Sequence, residues 1–318
     1  MLEQFGSIFL DVNFYTAVVR MATPIILAAM GSIFAERSGV VMFSMEGMML
    51  MGTVGGIIGS GVTGNVYLGL LTAMLFGMAI GLVYAIVAVS VGAHQIVTSV
   101  GLNLGALGLT AILYALTFTR GDEIIQTVIQ VPGLSAWKIP LLGDIPFIGP
   151  VFFDHLPLVY LGYLTLPLVW FVLYRTTWGL KVRAVGDHPH AADTVGISVQ
   201  KVRYAAILIA GAFSGLSGAY ISIGLLNSYM ENMTAGRGFI AYTAIVFGKW
   251  EPVGVFLGSV LFGAADALQL RVKAAIPVIP YQFLVMVPYV VTLIALISVV
   301  GRANWPAASG LPYKREES

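Results

Sequence analysis

Long apolar runs dominate the chain and are separated by shorter polar stretches. A run of about 20 apolar residues is the length that an α-helix needs to cross the hydrocarbon core of a bilayer. The runs are continuous and do not alternate with polar positions, so they favour helices over the strands of a membrane β-barrel. The pattern predicts an all-α polytopic membrane protein, a single domain over residues 1–318 with about 8–10 transmembrane helices. The predicted segments are 13–35, 40–59, 66–90, 96–118, 156–174, 203–226, 237–249, 252–270 and 281–300.

The seventh segment differs from the others because it is short and rich in glycine at its ends. Its sequence, GRGFIAYTAIVFG, is bounded by Gly236, Gly238 and Gly248. Short apolar segments interrupted by glycine are typical of broken or re-entrant helices that line a cavity. We therefore predict a broken or re-entrant element near 236–250.

Basic residues are distributed unevenly between the two longest polar stretches. Cytoplasmic loops of membrane proteins carry an excess of lysine and arginine. The loop 175–203 is therefore predicted to be cytoplasmic, the loop 119–155 external, and the tail 302–318 cytoplasmic. Nine crossings would place the N-terminus outside, whereas eight or ten would place it inside. The basic residues of 175–203 are Arg175, Lys181, Arg183, Lys201 and Arg203, against Arg120 and Lys138 in 119–155.

Composition argues against several other classes of protein. Only 10% of the residues are charged, compared with roughly 25% in soluble domains, and a net charge of +1 gives no indication of a nucleic-acid partner. The absence of cysteine excludes disulfides and thiolate metal ligands. The four histidines lack the spacing of a metal site, and no Ser/His/Asp set converges by spacing. We expect no metal, no cofactor and no enzymatic activity. No cleavable signal pattern precedes the first segment, which is expected to stay in the mature protein.

A charged island, GLKVRAVGDHPHAADTVGIS at 179–198, interrupts the apolar runs. Asp187 is suited to cap a short helix, Pro189 to its first turn and Gly196 to its end. The predicted helix has about two turns, roughly 10–12 Å, with Ala191 and Ala192 on a small, smooth face. A helix this short is marginal alone in water and would need a partner surface. The alternative is a solvated connecting loop.

The island and two further stretches resemble the permease subunits of ABC importers. AADTVG has the Ala-Ala-x-x-x-Gly spacing of their cytoplasmic coupling loop, with His190 in place of the usual Glu. The stretches 21–52 (MATPIILAAMGSIFAERSGVVMFSMEGMMLMG) and 235–271 (AGRGFIAYTAIVFGKWEPVGVFLGSVLFGAADALQLR) are similar to permeases for nucleosides and simple sugars, in a family that also serves branched-chain amino acids. The run at 42–45, Met-Phe-Ser-Met, departs from the Asn-Ile-Gly-like run expected there, which leaves the substrate open.

The resemblance implies a permease subunit in a bacterial-type inner membrane that imports a nucleoside or simple sugar by alternating access. It also implies three partners, namely a second, related permease, a cytoplasmic ABC ATPase and an external substrate-binding protein. The ATPase must be a separate chain because this chain has no P-loop of its own. The alternatives are a branched-chain amino acid permease of the same family and an ion-coupled secondary transporter. The residues implied in ATPase coupling are Gly186, Asp187, Pro189, Ala191, Ala192, Asp193 and Gly196.

Polar residues inside the apolar runs are the candidates for the substrate path. Amides, hydroxyls and an occasional carboxylate at membrane depth face protein or water, and they serve structure or substrate. For Glu46 we favour a structural pair with Arg37, and for Asp266 a pair with Arg271. Trp250 is expected to anchor a cytoplasmic turn, with a second ATPase contact as the alternative. The path candidates are Glu46, Ser99, Asn103 and Asn232.

Overall fold

The computed structural model describes residues 11–118, 130–275 and 305–313, together with the isolated positions 282, 286, 290 and 293. Almost all of the regular structure in these ranges is helical. The helices are α1 (Val12–Arg37), α2 (Met45–Thr63), α3 (Val66–Ala85), α4 (Gln95–Phe118), α5 (Pro157–Arg175), α6 (Thr177–Asp187), α7 (Pro189–Thr194), α8 (Val199–Ala219), α9 (Arg237–Phe247) and α10 (Pro252–Ala275). Helices α3 and α8 continue into π-helical turns at Ile86–Ser90 and Tyr220–Leu226. Strands β1 (Trp137–Lys138) and β2 (Asp154–His155) pair antiparallel.

Six of these helices are long and apolar enough to cross a membrane, namely α1, α3, α4, α5, α8 and α10. Helix α2 adds 19 mostly buried residues, and α9 has only 11, or about 16 Å of length. The prediction of an all-α polytopic protein with a short element near 236–250 is thus confirmed. The ninth predicted segment, 281–300, lies outside the described residues except for four isolated positions.

The centre of the bundle is a close contact of α2, α3 and α8 through glycine. A Cβ at Gly52 of α2 would lie 2.3 Å from the carbonyl oxygen of Gly215 in α8, and one at Gly77 of α3 would lie 2.2 Å from that of Gly211. Side chains of any size would push these backbones apart. Small residues at helix contacts are how membrane helices associate without a hydrophobic driving force. The glycines at this contact therefore serve helix packing.

The two ends of the bundle are fixed by contacts between sequence-distant residues. Helix α10 runs antiparallel to α1, with Glu251 beside Arg37 at one end and Arg271 beside Asp11 at the other. We call these the Arg37 end and the Asp11 end. Helices α6 and α7 lie at the Arg37 end. The β1–β2 segment lies at the Asp11 end, where the Thr16 hydroxyl of α1 donates to the carbonyl of the neighbouring Pro150.

The charged island is a pair of helices, α6 and α7, and not one short helix. Asp187 is the last residue of α6, and His188 occupies the position before α7, so the prediction that Asp187 caps the short helix is wrong. Thr176 caps α6 by accepting a hydrogen bond from the Gly179 N–H. Pro189 is the first residue of α7, and Gly196 follows it with φ +83°, a backbone conformation that glycine adopts without strain.

Candidate functional site

The chain between α1 and α2 is not helical, although it is buried within the bundle. We call Ser38–Ser44 the unwound segment. Five of its seven residues are fully buried, and Val41 and Phe43 are partly exposed. Peptide groups that leave a helix inside a membrane protein have no water to bond with, so other protein groups must satisfy them.

Side chains from four helices satisfy the peptide groups of the unwound segment. Each of these side chains acts as a donor or an acceptor toward one particular backbone atom, which fixes the path of the chain. The contacts are Met42 N–H to Glu36 Oε1 (2.6 Å), Val41 N–H to Gln95 Oε1 (2.8 Å), Tyr84 Oη–H to Val41 O (2.5 Å), Asn103 Nδ2–H to Phe43 O (3.0 Å) and Arg203 Nε–H to Ser38 O (3.1 Å).

Glu46, in the first turn of α2, holds the N-terminal end of α9. Its Oε1 accepts from Thr234 Oγ1 at 2.5 Å and from the Gly236 N–H at 2.9 Å, and its Oε2 accepts from the Gly238 N–H at 2.7 Å. The first N–H groups of a helix lack intrahelical partners and favour a negative charge. Gly238 is required here because a Cβ would lie 2.5 Å from Glu46 Cα. The carboxylate therefore joins the two broken elements, and the predicted pairing of Glu46 with Arg37 is wrong.

Arg37 instead fixes the opposite end of α9. Its Nη2 lies 2.7 Å from Glu251 Oε1, and its Nε donates to the carbonyl of Trp250 at 2.7 Å. The Trp250 indole N–H in turn donates to Glu36 Oε2 at 2.9 Å. Tyr174 at the end of α5 donates its hydroxyl to the other oxygen of Glu251. Trp250 is thus buried in a hydrogen-bonded turn at the Arg37 end.

The predicted pair of Asp266 with Arg271 is also wrong. Asp266 faces Arg237 at the start of α9, with Nε and Oδ2 3.7 Å apart. Arg271 reaches Asp11, which precedes α1, at 3.1 Å. Both ion pairs join α10 to other elements, namely the preceding helix α9 and the residue before α1, so the spacing of one to two turns within α10 did not reveal them.

Residues 305–313, which we call the C-terminal strap, lie between the unwound segment and the α6–α7 pair. The Ala308 N–H donates to Gly186 O at 2.9 Å, and the Gly310 N–H donates to Gly39 O at 3.1 Å. Arg203 of α8 donates through Nη1 to Leu311 O at 3.2 Å. Since Arg203 also donates to Ser38 O, it holds both the strap and the unwound segment against the start of α8.

Gly186 brings α6 directly against the end of α1. A Cβ at Gly186 would lie only 2.0 Å from the carbonyl oxygen of Arg37 and 3.3 Å from the Gly39 nitrogen. At the far end of the strap, the ring centroids of Tyr313 and His190 of α7 are 5.1 Å apart. Backbone contact is thus continuous from α7 through α6 and the strap to the unwound segment.

The sequence matches the family model described as "Branched-chain amino acid transport system / permease component" over residues 14–296. The chain belongs to this permease family. A guanosine ABC transporter permease protein of Bacillus subtilis, NupQ, is 37% identical over 311 residues, which cover 93% of this chain and 95% of NupQ. A putative glucose ABC transporter permease protein of Haloferax volcanii, TsgC13, is 39% identical over 80% of this chain and 76% of its own length. A nucleoside ABC transporter permease protein of Lactococcus lactis, NupC, is 36% identical over 92% of this chain and 93% of its own length.

A solved structure supports the same fold. PsaBC from Streptococcus pneumoniae in complex with Fab superposes with a TM-score of 0.53 at 15% identity, covering 93% of this chain and 95% of that chain. At this identity the likeness concerns the fold alone. Together, the apolar helices and the family assignment show that the chain is a multi-pass integral membrane permease of the bacterial inner membrane. The relatives named above are permease proteins and not enzymes.

The predicted coupling residues lie at both buried and exposed positions of the permease. Ala192 is buried and Ala191 is exposed, so the two alanines do not share one outward face. The outward surface beside them includes Val195, which is 74% exposed although it is apolar. Of the remaining residues, Gly186 is buried, Pro189 and Asp193 are partly buried, and Asp187 and Gly196 are exposed.

Three of the four predicted path residues lie near the unwound segment. Glu46 and Asn103 are buried, and Asn103 bridges Phe43 O and the Gly47 N–H, which lies 2.8 Å from its Oδ1. Ser99 is buried one turn before Asn103 on α4. Asn232 is exposed in the turn before α9, with φ +52°. The first two residues therefore brace the permease backbone, whereas Asn232 lies on an open turn.

The residues that sequence reasoning missed in this permease are those that satisfy the unwound segment. They are Glu36, Tyr84, Gln95 and Arg203, and all four are buried. A signal was present, because residues 36–46 include two glutamates, an arginine and two serines between apolar runs. Such density of polar groups at one depth is unusual for an uninterrupted span.

Proposed function

We propose that this permease imports a nucleoside or simple sugar by alternating access, driven by a separate ABC ATPase that binds at the Arg37 end. The permease relatives named for guanosine, nucleoside and glucose transport support the substrate class. A second, related permease subunit would complete the path, and an external binding protein would deliver the substrate.

The distribution of basic residues supports a cytoplasmic Arg37 end. Arg175, Lys181, Arg183 and Lys201 all lie on or beside α6, α7 and the start of α8, and such clusters favour the cytoplasmic side. The strap and the 175–203 loop would then face the ATPase. The loop 119–155, of which residues 130–155 are described, would be external.

The observation that carries the proposal is the backbone contact between Gly186 and Arg37. An ATPase that moves α7 would move α6 with it, because only the single residue His188 separates the two helices. The backbones touch at Gly186, with no room for a methyl group, so the displacement would pass to the end of α1 and to the unwound segment. We assign the outward surface of this unit to ATPase coupling, with Asp187, His190, Ala191 and Val195 exposed on it and Gly186, Pro189, Ala192, Asp193 and Gly196 shaping it.

The engagement of the buried carboxylates argues against the ion-coupled alternative. A secondary transporter needs intramembrane carboxylates that bind and release the coupling ion. Among the described residues, Glu46 accepts three hydrogen bonds from the α9 end, and Asp266 pairs with Arg237. A coupling ion could bind either carboxylate only by breaking these helix–helix contacts.

The test is reconstitution of the permease with its ATPase, its partner permease and its binding protein. We expect uptake to require ATP, and we expect Ala191→Glu to abolish uptake and weaken co-purification of the ATPase. Ala136→Glu is the matched control, because Ala136 is an exposed alanine in the β1–β2 region at the Asp11 end. Uptake without any ATPase, or an Ala191→Glu complex that assembles and transports like the parent, would contradict the proposal.

A further inference from the structure

Three aromatic rings meet where the two broken elements lie side by side. Phe43 belongs to the unwound segment, and Phe239 and Tyr242 lie one turn apart on α9. The centroid of Phe43 is 5.3 Å from that of Phe239, with planes inclined by 48°, and 4.9 Å from that of Tyr242, with planes inclined by 68°. We call these residues the aromatic triad.

The backbone beneath the triad is fixed on both sides. Asn103 holds the carbonyl of Phe43, and Glu46 holds the first N–H groups of α9 just before Phe239. These contacts involve buried side chains, so the rings are presented from a rigid support. Rigid presentation lowers the entropy that a ligand loses on binding.

The aromatic triad has an open side beside the unwound segment. In the unwound segment, Val41 and Phe43 are partly exposed while Met42 and Ser44 are buried. Phe239 is 38% exposed, and Tyr242 and Thr243 are partly exposed beside it. Irregular backbone at membrane depth occurs only where it is buried in protein or lines a water-filled cavity. An open side next to this break in the helices is therefore suited to line such a cavity.

We propose that the aromatic triad is a stacking site for the heteroaromatic base of a nucleoside on its way through the permease. The inference rests on the proposed transport function and narrows its substrate class. Every nucleobase has a π-face that stacks on aromatic side chains, whereas a simple sugar has none. Discontinuous helices commonly form substrate sites near the middle of the membrane. The Tyr242 hydroxyl has no hydrogen-bonding partner among the described residues, so it is available to a polar edge of the base.

The experiment compares uptake of labelled adenosine and labelled ribose by the reconstituted complex with its binding protein. We expect Phe43→Leu, Phe239→Leu and Tyr242→Leu each to lower adenosine uptake at subsaturating concentration by roughly tenfold, the ratio that corresponds to the loss of one stacking contact. Phe43→Tyr and Tyr242→Phe keep a ring and should retain most of the uptake. Leu104→Ala, at a position 66% exposed on α4, is the matched control for loss of an exposed apolar side chain.

Photolabelling with 8-azidoadenosine provides a readout that does not depend on the activity of the variants. We expect covalent label on the peptides that carry the triad, removed by excess adenosine but not by ribose. Label elsewhere, leucine variants that take up adenosine like the parent, or aromatic and leucine variants that fail equally would overturn the inference. A parent complex that carries ribose but not adenosine would refute the stacking site and leave ATP-driven import intact, whereas no ATP-dependent uptake of either would refute the proposed function itself.

Discussion

The contact at Gly186 gives the sharpest test of how the Arg37 end works, through the single change Gly186→Ala. Gly186 lies in the last turn of α6, where alanine would ordinarily gain about 0.5–1 kcal/mol over glycine. The added methyl would sit 2.0 Å from the Arg37 carbonyl oxygen, and real Cβ contacts essentially never fall below 3.0 Å. The neighbouring atoms are backbone, so no side-chain rotation relieves the clash. Helix α6 must therefore move away by at least about 1 Å.

The energy of that movement is small compared with the stability of the fold. Overpacking typically costs about 1–3 kcal/mol, which the helix propensity of alanine partly offsets, so the net cost is about 1–2 kcal/mol. Folded domains are stable by about 5–15 kcal/mol. The variant should therefore fold and assemble, yet its α6 would be displaced by about 1 Å and would meet the end of α1 through the added methyl group, not through direct backbone contact. A shift of 1 Å also takes the 2.9 Å hydrogen bond from Ala308 to Gly186 O out of bonding range if the strap does not follow.

The assay measures substrate uptake and ATP hydrolysis on the same reconstituted sample. We expect Gly186→Ala to lower uptake per ATP hydrolysed several-fold while the ATPase still co-purifies. Gly162→Ala in α5 is the control, because its added Cβ would lie 3.8 Å from the nearest atom, an ordinary contact. A Gly186→Ala complex with the uptake-to-hydrolysis ratio of the parent would refute transmission through this contact.

Three further predictions follow from the same geometry. Glu46→Ala leaves the N–H groups of Gly236 and Gly238 at the start of α9 without acceptors and should lower stability by about 2–5 kcal/mol, seen as a fall in thermal unfolding temperature, with Glu46→Gln intermediate; an unchanged temperature for the alanine variant would contradict this. Removal of residues 305–318 should reduce ATP-dependent uptake while ATPase binding persists, whereas removal of 314–318 alone, beyond the strap, should not; equal uptake by both truncations would argue against a role for the strap. Because the chain has no cysteine, Ala191→Cys should react with a membrane-impermeant maleimide only after cells are opened, and Ala136→Cys in intact cells; the reverse pattern would invert the proposed sidedness.

The sequence was sufficient to predict which stretches are helical and apolar. Apolar length is set by the thickness of the bilayer and is therefore encoded locally. The short α9 was predictable for the same reason, because Gly236 and Gly248 bound it. The structure confirms these locally encoded features.

Tertiary partners were not predictable from the same information. Residues 40–43, Val-Val-Met-Phe, look like part of a span, yet α2 begins only at Met45. The stretch is satisfied by Glu36, six residues from its partner Met42, and by Tyr84, Gln95 and Asn103, which lie 43 to 60 residues from theirs. A break that depends on distant side chains leaves only an indirect trace in its own sequence.

The carboxylate pairings failed for a related physical reason. The charge nearest in sequence to Glu46 is Arg37, but a buried carboxylate is also satisfied by helix N–H groups, which sequence charge patterns do not display. The free N–H groups of α9 exist only because that helix begins inside the protein, beside Glu46. Recognising the break in α9 and asking what would satisfy its first turn would have led to Glu46.

The bonding of the unwound segment also limits how the permease can move. Each peptide group left unsatisfied in a water-free interior costs several kcal/mol, a large share of the stability of a whole fold. The segment cannot slide by a residue along Glu36, Tyr84, Gln95 and Asn103 without exchanging several of these bonds at once. Alternating access would therefore carry the end of α1, the unwound segment and the Glu46-bound α9 together as one body. Its moving boundaries would lie outside this hydrogen-bonded body, where few hydrogen bonds cross.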